Sequence, residues 1–167
     1  MDSSPALSKQ MLLKLYDYDT HATAKIFEAA AKLSSEQIEQ SMPGHSHAGI
    51  RSTLFHMLRG MTAWRSSFDG GRVRVVLMPE DFPTLDAVHV RWREESGKMR
   101  AYVDGLSEEQ IAEVHVLNRP NAGEQRIATW HMLQQVALHG MQHRAECAAM
   151  LTAFGHSPGD LDFIYFV

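Results

Sequence analysis

The chain has 167 residues and a formal net charge of −4, with 22% charged and 44% hydrophobic residues. This length predicts a single domain that spans residues 1–167 and can bury a substantial core. The acidic balance argues against nucleic-acid binding, which requires a basic excess, and no uninterrupted apolar stretch approaches the length of a membrane span.

The first predicted element is a long amphipathic helix. Apolar residues recur there at steps of three and four positions, which predicts a helix from about Pro5 or Ser8 to Leu33. Ser4 followed by Pro5 offers a cap with a proline at the first helical position. Ser34 then begins a short turn, and residues 42–49 contain the glycine and proline that are typical of a loop.

Two further amphipathic segments predict the second and third helices. The second helix begins near Ser52 or Thr53 and ends before the Asp-Gly-Gly of residues 69–71. The third helix follows Thr84, whose hydroxyl can cap it, and extends to about Leu106.

The pattern changes after the third helix. Within residues 113–123, apolar and polar side chains alternate locally before a turn. Residues 125–129 can form the second strand of a small β-hairpin. The fourth helix, from about Ala128 to Phe154, is apolar over a wide arc, and the apolar tail of residues 157–167 is expected to pack against the helices. Four such helices predict an all-α protein, an antiparallel four-helix bundle with a possible small β-hairpin before the last helix.

Cysteine content and the first residues bear on location. Cys147 is the single cysteine, which excludes an intrachain disulfide and fits a reducing compartment. The first ten residues lack the basic stretch and apolar run of a signal peptide. We therefore expect a cytoplasmic protein with neither a nucleic-acid nor a membrane partner.

One pair of histidines lies on an apolar face of the fourth predicted helix. His139 and His143 are four residues apart, so their imidazoles project from the same side of the helix, one turn apart. Buried polar groups need partners, and two interpretations satisfy them. The pair could share a divalent metal with His56 from the second helix, leaving positions open for water or substrate. Alternatively, both are core or groove histidines that are hydrogen-bonded to backbone or carboxylate groups.

Three short motifs, in the second helix, the fourth helix and the C-terminal segment, carry a resemblance to a known family. They are Leu54-Phe-His56-Met-Leu followed by Trp64, Leu138-His-Gly-Met-Gln-His-Arg144, and Leu151-Thr-Ala-Phe-Gly-His-Ser-Pro158 followed by Asp162. In order and separation they resemble the DinB/YfiT-like family of metalloenzymes over nearly the whole chain. The resemblance implies an up-down-down-up four-helix bundle and a divalent metal on three histidines, by position His56, His139 and His143.

The same resemblance implies a class of activity. Characterised members of the family include transferases and isomerases that use low-molecular-weight thiols, so we expect a metal-dependent enzyme with a small-molecule substrate, either a thiol-dependent transferase or a hydrolase. Zinc and nickel both suit imidazole ligands. The alternatives are a non-catalytic, stress-linked protein that binds a metal or small molecule, and a purely structural dimeric bundle. The apolar coverage of the fourth helix and of the tail predicts a homodimer.

Glu146 shares the face of the histidine pair, because it lies three residues after His143 and seven after His139. Its carboxylate could be a fourth ligand, orient an imidazole, or act as a general base beside metal-bound water; it could also be a surface charge paired with an arginine. We predict the catalytic role. This chain departs from the family pattern at two positions. Many relatives have a glutamine where this chain has Glu146, and some have a further histidine where it has Gln135. The metal and substrate preferences of the relatives are therefore not carried over to this chain.

The remaining histidines are expected to have ordinary roles. His45 and His47 are expected to be exposed loop residues, although they could form a short metal-binding pair or a loop over the site. The others are expected to line or fill the interhelical grooves or to lie at the surface; they are His21, His89, His115, His131 and His156.

Overall fold

The computed structural model describes residues 7–68, 75–119 and 123–167. The α-helices and strands within these segments are, in chain order, α1 (Lys9–Ala30), α2 (Ser35–Glu39), α3 (Ile50–Phe68), α4 (Leu85–Gly105), α5 (Glu108–Ala112), β1 (Val114–Arg119), β2 (Gly123–Ala128) and α6 (Thr129–Ala153). Short 3-10 helices are found at Pro79–Asp81 and Phe163–Tyr165. The strands pair antiparallel, from Val114 opposite Ala128 to Arg119 opposite Gly123. The mostly helical fold and the small hairpin before the last helix are therefore confirmed.

Side-chain caps begin two of the long helices, at the predicted cap Thr84 and at Ser8, which was predicted only as a possible start. The Ser8 hydroxyl accepts a hydrogen bond from the backbone N–H of Met11 at the start of α1, and that of Thr84 accepts one from Ala87 at the start of α4. Each cap satisfies one of the backbone donors that a helix leaves without an internal partner in its first turn. The alternative start, Pro5, lies outside the described residues.

Some boundaries differ from those predicted. Helix α1 ends at Ala30 rather than at the predicted Leu33. Leu33 is nevertheless buried in the core. Helix α3 begins at Ile50, two residues before Ser52, which instead donates its hydroxyl to the carbonyl of Gly49. The expected stop of α3 at residues 69–71 lies outside the described segments.

Each long helix packs on two others, since α1 and α3 both contact α4 and α6. Apolar side chains from all four helices form one buried cluster between them; its fully buried members include Leu12, Leu54, Met99, Leu133 and Met150. None of the described helices is long and apolar enough to cross a membrane. The up-down-down-up order of helix directions stays a prediction.

The C-terminal tail packs against α1, as its apolar composition predicts. The Tyr18 hydroxyl donates to the carbonyl of Leu161 at 2.6 Å, and the Tyr18 ring meets Phe163 and Phe166 at centroid distances of 5.2 and 5.9 Å. The Lys14 ammonium lies 4.6 Å from the centroid of Phe166. Through these contacts, residues 161–166 pack against α1.

A buried ion pair joins α1 to α6. Arg144 donates from Nη1 to Oδ1 of Asp19 and, at 3.2 Å, to the Thr23 hydroxyl. Gly140 makes room for the pair, because a Cβ at this position would lie 2.8 Å from Asp19 Oδ1. Burial raises the pKa of Asp19 above its ordinary value, against the lowering effect of Arg144. The pair fixes how α6 is rotated against α1 next to His143.

Candidate metal centre

Four imidazole rings from three parts of the chain meet beside α3. His56 lies on α3, His139 and His143 lie on α6, and His47 lies in the loop that precedes α3. Ring centroids are 4.9 Å apart for His56 and His139, 4.7 Å for His56 and His143, and 4.6 Å for His139 and His143. Packing of α3 on α6 thus brings together the three histidines that the sequence predicts.

Ligand nitrogens are close enough to share an ion. One ring nitrogen each of His47, His56 and His143 lies within 4.8 Å of the other two, so this group could hold a metal ion. His139 lies outside that group but contacts it, since its Nε2 is 3.0 Å from Nε2 of His56. Two nitrogens that bind one tetrahedral zinc are about 3.3 Å apart, given zinc–nitrogen bonds of about 2.0–2.1 Å. The imidazole donor set therefore fits a divalent metal.

Electrostatics favours the neutral, metal-binding form of the rings. Burial, followed by the charges that His47, His139, His143 and Arg59 can carry, lowers the pKa of His56 to about 4. Burial and then His143 also lower the pKa values of His139 and His47, although Glu146 opposes this. Since metals bind the neutral imidazole, these rings present lone pairs at neutral pH without first losing a proton.

Glu146 connects a helical histidine to the preceding loop. Its Oε2 lies 3.1 Å from Nδ1 of His143, and its Oε1 accepts a hydrogen bond of 2.7 Å from the Ser46 hydroxyl. Burial alone raises the pKa of Glu146, but the hydrogen bonds from Ser46 and His143 outweigh it and hold the pKa below its usual range. An ionised carboxylate only accepts, so Nδ1 of His143 carries the proton and Nε2 is left to bind a metal.

Gly60 supplies the space that His139 occupies. It lies on α3 one turn after His56 and faces α6, where a Cβ at this position would lie 3.1 Å from Cε1 of His139. Contacts under about 3.4 Å are tighter than most real Cβ contacts, so a larger residue would press on the ring. A glycine at this level therefore allows the imidazole to lie against the backbone of α3.

His47 is the residue whose position sequence reasoning missed. It was expected to be exposed, as was His45, but both are half-buried, and the His47 ring centroid lies 4.0 Å from that of His56 and 5.3 Å from that of His143. The alternative of a loop over the site describes it better. The available signal is the Gly-His-Ser-His-Ala-Gly of residues 44–49, which places two histidines close before α3. His45 lies outside the three-histidine group.

Several other histidines have partners away from this cluster. His89 stacks on Phe27 at a centroid distance of 4.2 Å, and His21 lies 5.2 Å from Phe166. His115, expected at the surface, is half-buried because its Nε2 makes a 2.8 Å hydrogen bond with the Thr129 hydroxyl. Such contacts give these rings structural roles.

Comparison with known proteins places the chain in a family. The sequence profile of the DinB family matches residues 7–167. The fold is similar to the crystal structure of a conserved protein from Enterococcus faecalis, with a TM-score of 0.63 and 12% identity over 82% of this chain and 92% of that one. At this identity the likeness is one of fold alone. No curated protein matches the chain. Because the family match covers nearly the whole sequence, this chain belongs to the DinB family.

Proposed function

We propose that this protein is a metal-dependent enzyme in which His56, His139 and His143 hold a divalent ion, zinc or nickel, and a thiol or water attacks a small electrophile. The observation that carries the proposal is the convergence of these imidazoles between α3 and α6. A divalent ion held by these histidines would lower the pKa of a water ligand to about 7 and would favour a thiolate over a thiol.

The surroundings of the histidines support this function. Glu146 orients His143 through Nδ1, and the close approach of Gly60 allows the His139 ring to lie beside His56. Such outer contacts fix ring orientation and strengthen the ligand nitrogen. We propose in addition that the same carboxylate, which is next to the cluster and held ionised, accepts a proton from the attacking thiol or water.

A cavity farther along the same helices supports a small-molecule substrate. Its volume is about 560 Å³, within the usual range for ligand sites, and aromatic side chains meet polar groups in its wall. The lining includes Trp64, Phe68, Tyr102, Glu113, His115 and Met132. At 1.5 Å per residue, its α3 residues Ala63 and Ser67 lie about 10–16 Å beyond His56 along the helix axis. None of the residues that line the cavity belongs to the histidine cluster, so the cavity supports small-molecule binding but not a position for the reacting atom.

Metal content and turnover test the proposal together. Protein purified without a histidine tag is expected to contain about one equivalent of zinc or nickel by elemental analysis. Thermal-shift screening with low-molecular-weight thiols, followed by assays with model electrophiles, should then reveal turnover that a chelator abolishes and the metal restores. Stoichiometric metal without turnover for any thiol or hydrolytic substrate would favour the second candidate, a non-catalytic, stress-linked metal-binding protein. The fourth imidazole of His47 supports that candidate, since closed sites are usually structural.

Glu146→Gln is expected to keep the fold and most of the metal but to lower thiol- or water-dependent turnover by ~10²-fold or more, the usual scale for a lost general base. Glutamine preserves shape but cannot take up a proton at neutral pH. Turnover and zinc content are measured on the same preparation, with the exposed Glu36→Gln as the control. Unchanged turnover would leave Glu146 with its orienting contact to His143 and no role in proton transfer.

We also propose that the protein is a homodimer that uses the outer face of α6. No Asp, Glu, Lys or Arg is found among the exposed positions of this fully described helix: His131, Gln135, Leu138, Met141, Gln142, Ala145, Ala149, Thr152 and Ala153. A solvated helix face usually carries charges. Two-fold symmetry would pair this face with itself without opposing like charges.

Light scattering at micromolar concentration checks the dimer and is expected to give twice the 18.8 kDa of one chain. Leu138 is 44% exposed, and Leu138→Glu should yield the single-chain mass, because it sets two carboxylates against each other across the axis. The control is Val90→Glu on α4, where the side chain is 61% exposed. A wild-type mass near 18.8 kDa would count decisively against the dimer.

Fold and location complete the proposal. We propose that residues 1–167 form a single up-down-down-up bundle domain, which the family match over residues 7–167 and the mutual packing of the four long helices support. A cytoplasmic location is supported by the single cysteine, which is buried and unpaired.

A further inference from the structure

His47 lies in a loop, whereas His56, His139 and His143 lie on helices. One of its nitrogens lies within 4.8 Å of a ring nitrogen of both His56 and His143, so it is as close to them as they are to each other by this criterion. Its ring is tilted by 32° against that of His56 rather than directed to solvent. A loop histidine in close ring contact with a predicted ligand needs a physical account.

The loop is fixed to the helices on both sides of His47. On one side, the Ser46 hydroxyl donates to Glu146, the carboxylate that also contacts His143. On the other side, Gly49 packs against the end of α2, where an added Cβ would lie 3.1 Å from the backbone oxygens of Ile38 and Gln40. These contacts hold the backbone of His47 over the cluster.

We propose that His47 is a fourth imidazole ligand of the metal, delivered by the loop and held in place by Ser46 and Glu146. This inference rests on the proposed metal site. Three helical ligands then supply a rigid base, while His47 occupies the position that a thiol or water must take. Release of the loop opens that position, so Ser46 and Glu146 govern access of small ligands to the ion.

Zinc affinity tests this assignment without any activity. Competition with a chromophoric chelator is expected to show that His47→Ala binds zinc at least about tenfold more weakly than wild type, the change that 1.4 kcal/mol produces. The matched control is His45→Ala, which removes another imidazole from the same loop but lies outside the ligand group; its affinity is expected to be unchanged. Thermal melting of the metal-free variants shows that both remain folded.

Cobalt substitution gives a second readout. The visible absorption of the cobalt protein is expected to respond weakly to azide in wild type and strongly in His47→Ala and Ser46→Ala, because both variants free a coordination position. Zinc affinity and azide response equal to wild type in His47→Ala, with zinc lost from His56→Ala and His143→Ala, would overturn the role of His47 and leave the metal site intact. Absence of zinc and cobalt binding in wild type would overturn both.

Discussion

His143→Ala is expected to abolish stoichiometric binding of zinc or nickel. His143 is 4% exposed, lies in the three-histidine group and touches the rings of His47, His56 and His139. Loss of an outer contact to a metal ligand typically costs 10–100-fold in affinity, so loss of the ligand itself should cost at least about 100-fold. Elemental analysis of untagged protein after dialysis measures the effect.

The control for this experiment is His156→Ala, which removes a histidine just beyond the end of α6 and outside the ligand group. It should retain the metal content of wild type. His139→Ala is expected to behave like His143→Ala, since the Nε2 atoms of His139 and His56 are 3.0 Å apart. Full metal occupancy in both His139→Ala and His143→Ala would contradict the assignment of the three histidines as ligands.

Asp19→Ala is expected to lower the free energy of unfolding by about 3–5 kcal/mol, the usual result of leaving one member of a buried ion pair uncompensated. The exposed fractions of the Arg144 and Asp19 side chains are 3% and 11%, and the other hydrogen-bond partner of the guanidinium is the neutral Thr23 hydroxyl. Domains are stable by roughly 5–15 kcal/mol, so the variant should be close to unfolding. Urea denaturation of the metal-free protein measures the change.

A neighbouring acidic residue supplies the control for Asp19→Ala. Asp17 also pairs with an arginine across α1 and α4, but the Arg100 and Asp17 side chains are 45% and 37% exposed. Exposed pairs contribute about 0–1 kcal/mol, so Asp17→Ala should change stability little. Equal changes in the free energy of unfolding for the two substitutions would show that the buried pair of Asp19 and Arg144 contributes no more to stability than the exposed pair.

The long helices could be predicted from the sequence because their signals are local. Apolar residues recur at steps of three and four positions within each helix, and the capping hydroxyls of Ser8 and Thr84 lie directly before the helices that they start. The short turn predicted from Ser34 is the five-residue helix α2. Helix α5 was also missed, because a five-residue helix has no apolar period to detect. Its signal is the capping box of Ser107 and Gln110, whose side chains each bond the other's backbone N–H.

In the candidate site, too, some features could be predicted from local sequence and others depend on the packing of distant segments. One helix turn separates His139 from His143, so helical geometry alone predicts that they share a face. His56 is 83 residues from His139, and only the packing of α3 on α6 brings it there; the family resemblance supplied that step. His47 and Gly60 depend on the path of a loop and on the spacing between two helices. The Gly-His-Ser-His-Ala-Gly of residues 44–49 indicates that two histidines precede α3, but it does not predict where the loop places them.

The four imidazoles come from positions up to 96 residues apart, between His47 and His143, so a bound ion would act as a cross-link between distant parts of the chain. It would join the loop, α3 and α6 but would leave α1 and α4 untouched. The apolar core meanwhile runs through all four long helices. Unlike a zinc finger, whose folding free energy is its metal-binding free energy, this protein has the means to fold before it is loaded. A metal at the proposed site would then bind to an already folded chain, so its identity would depend on metal supply rather than on folding.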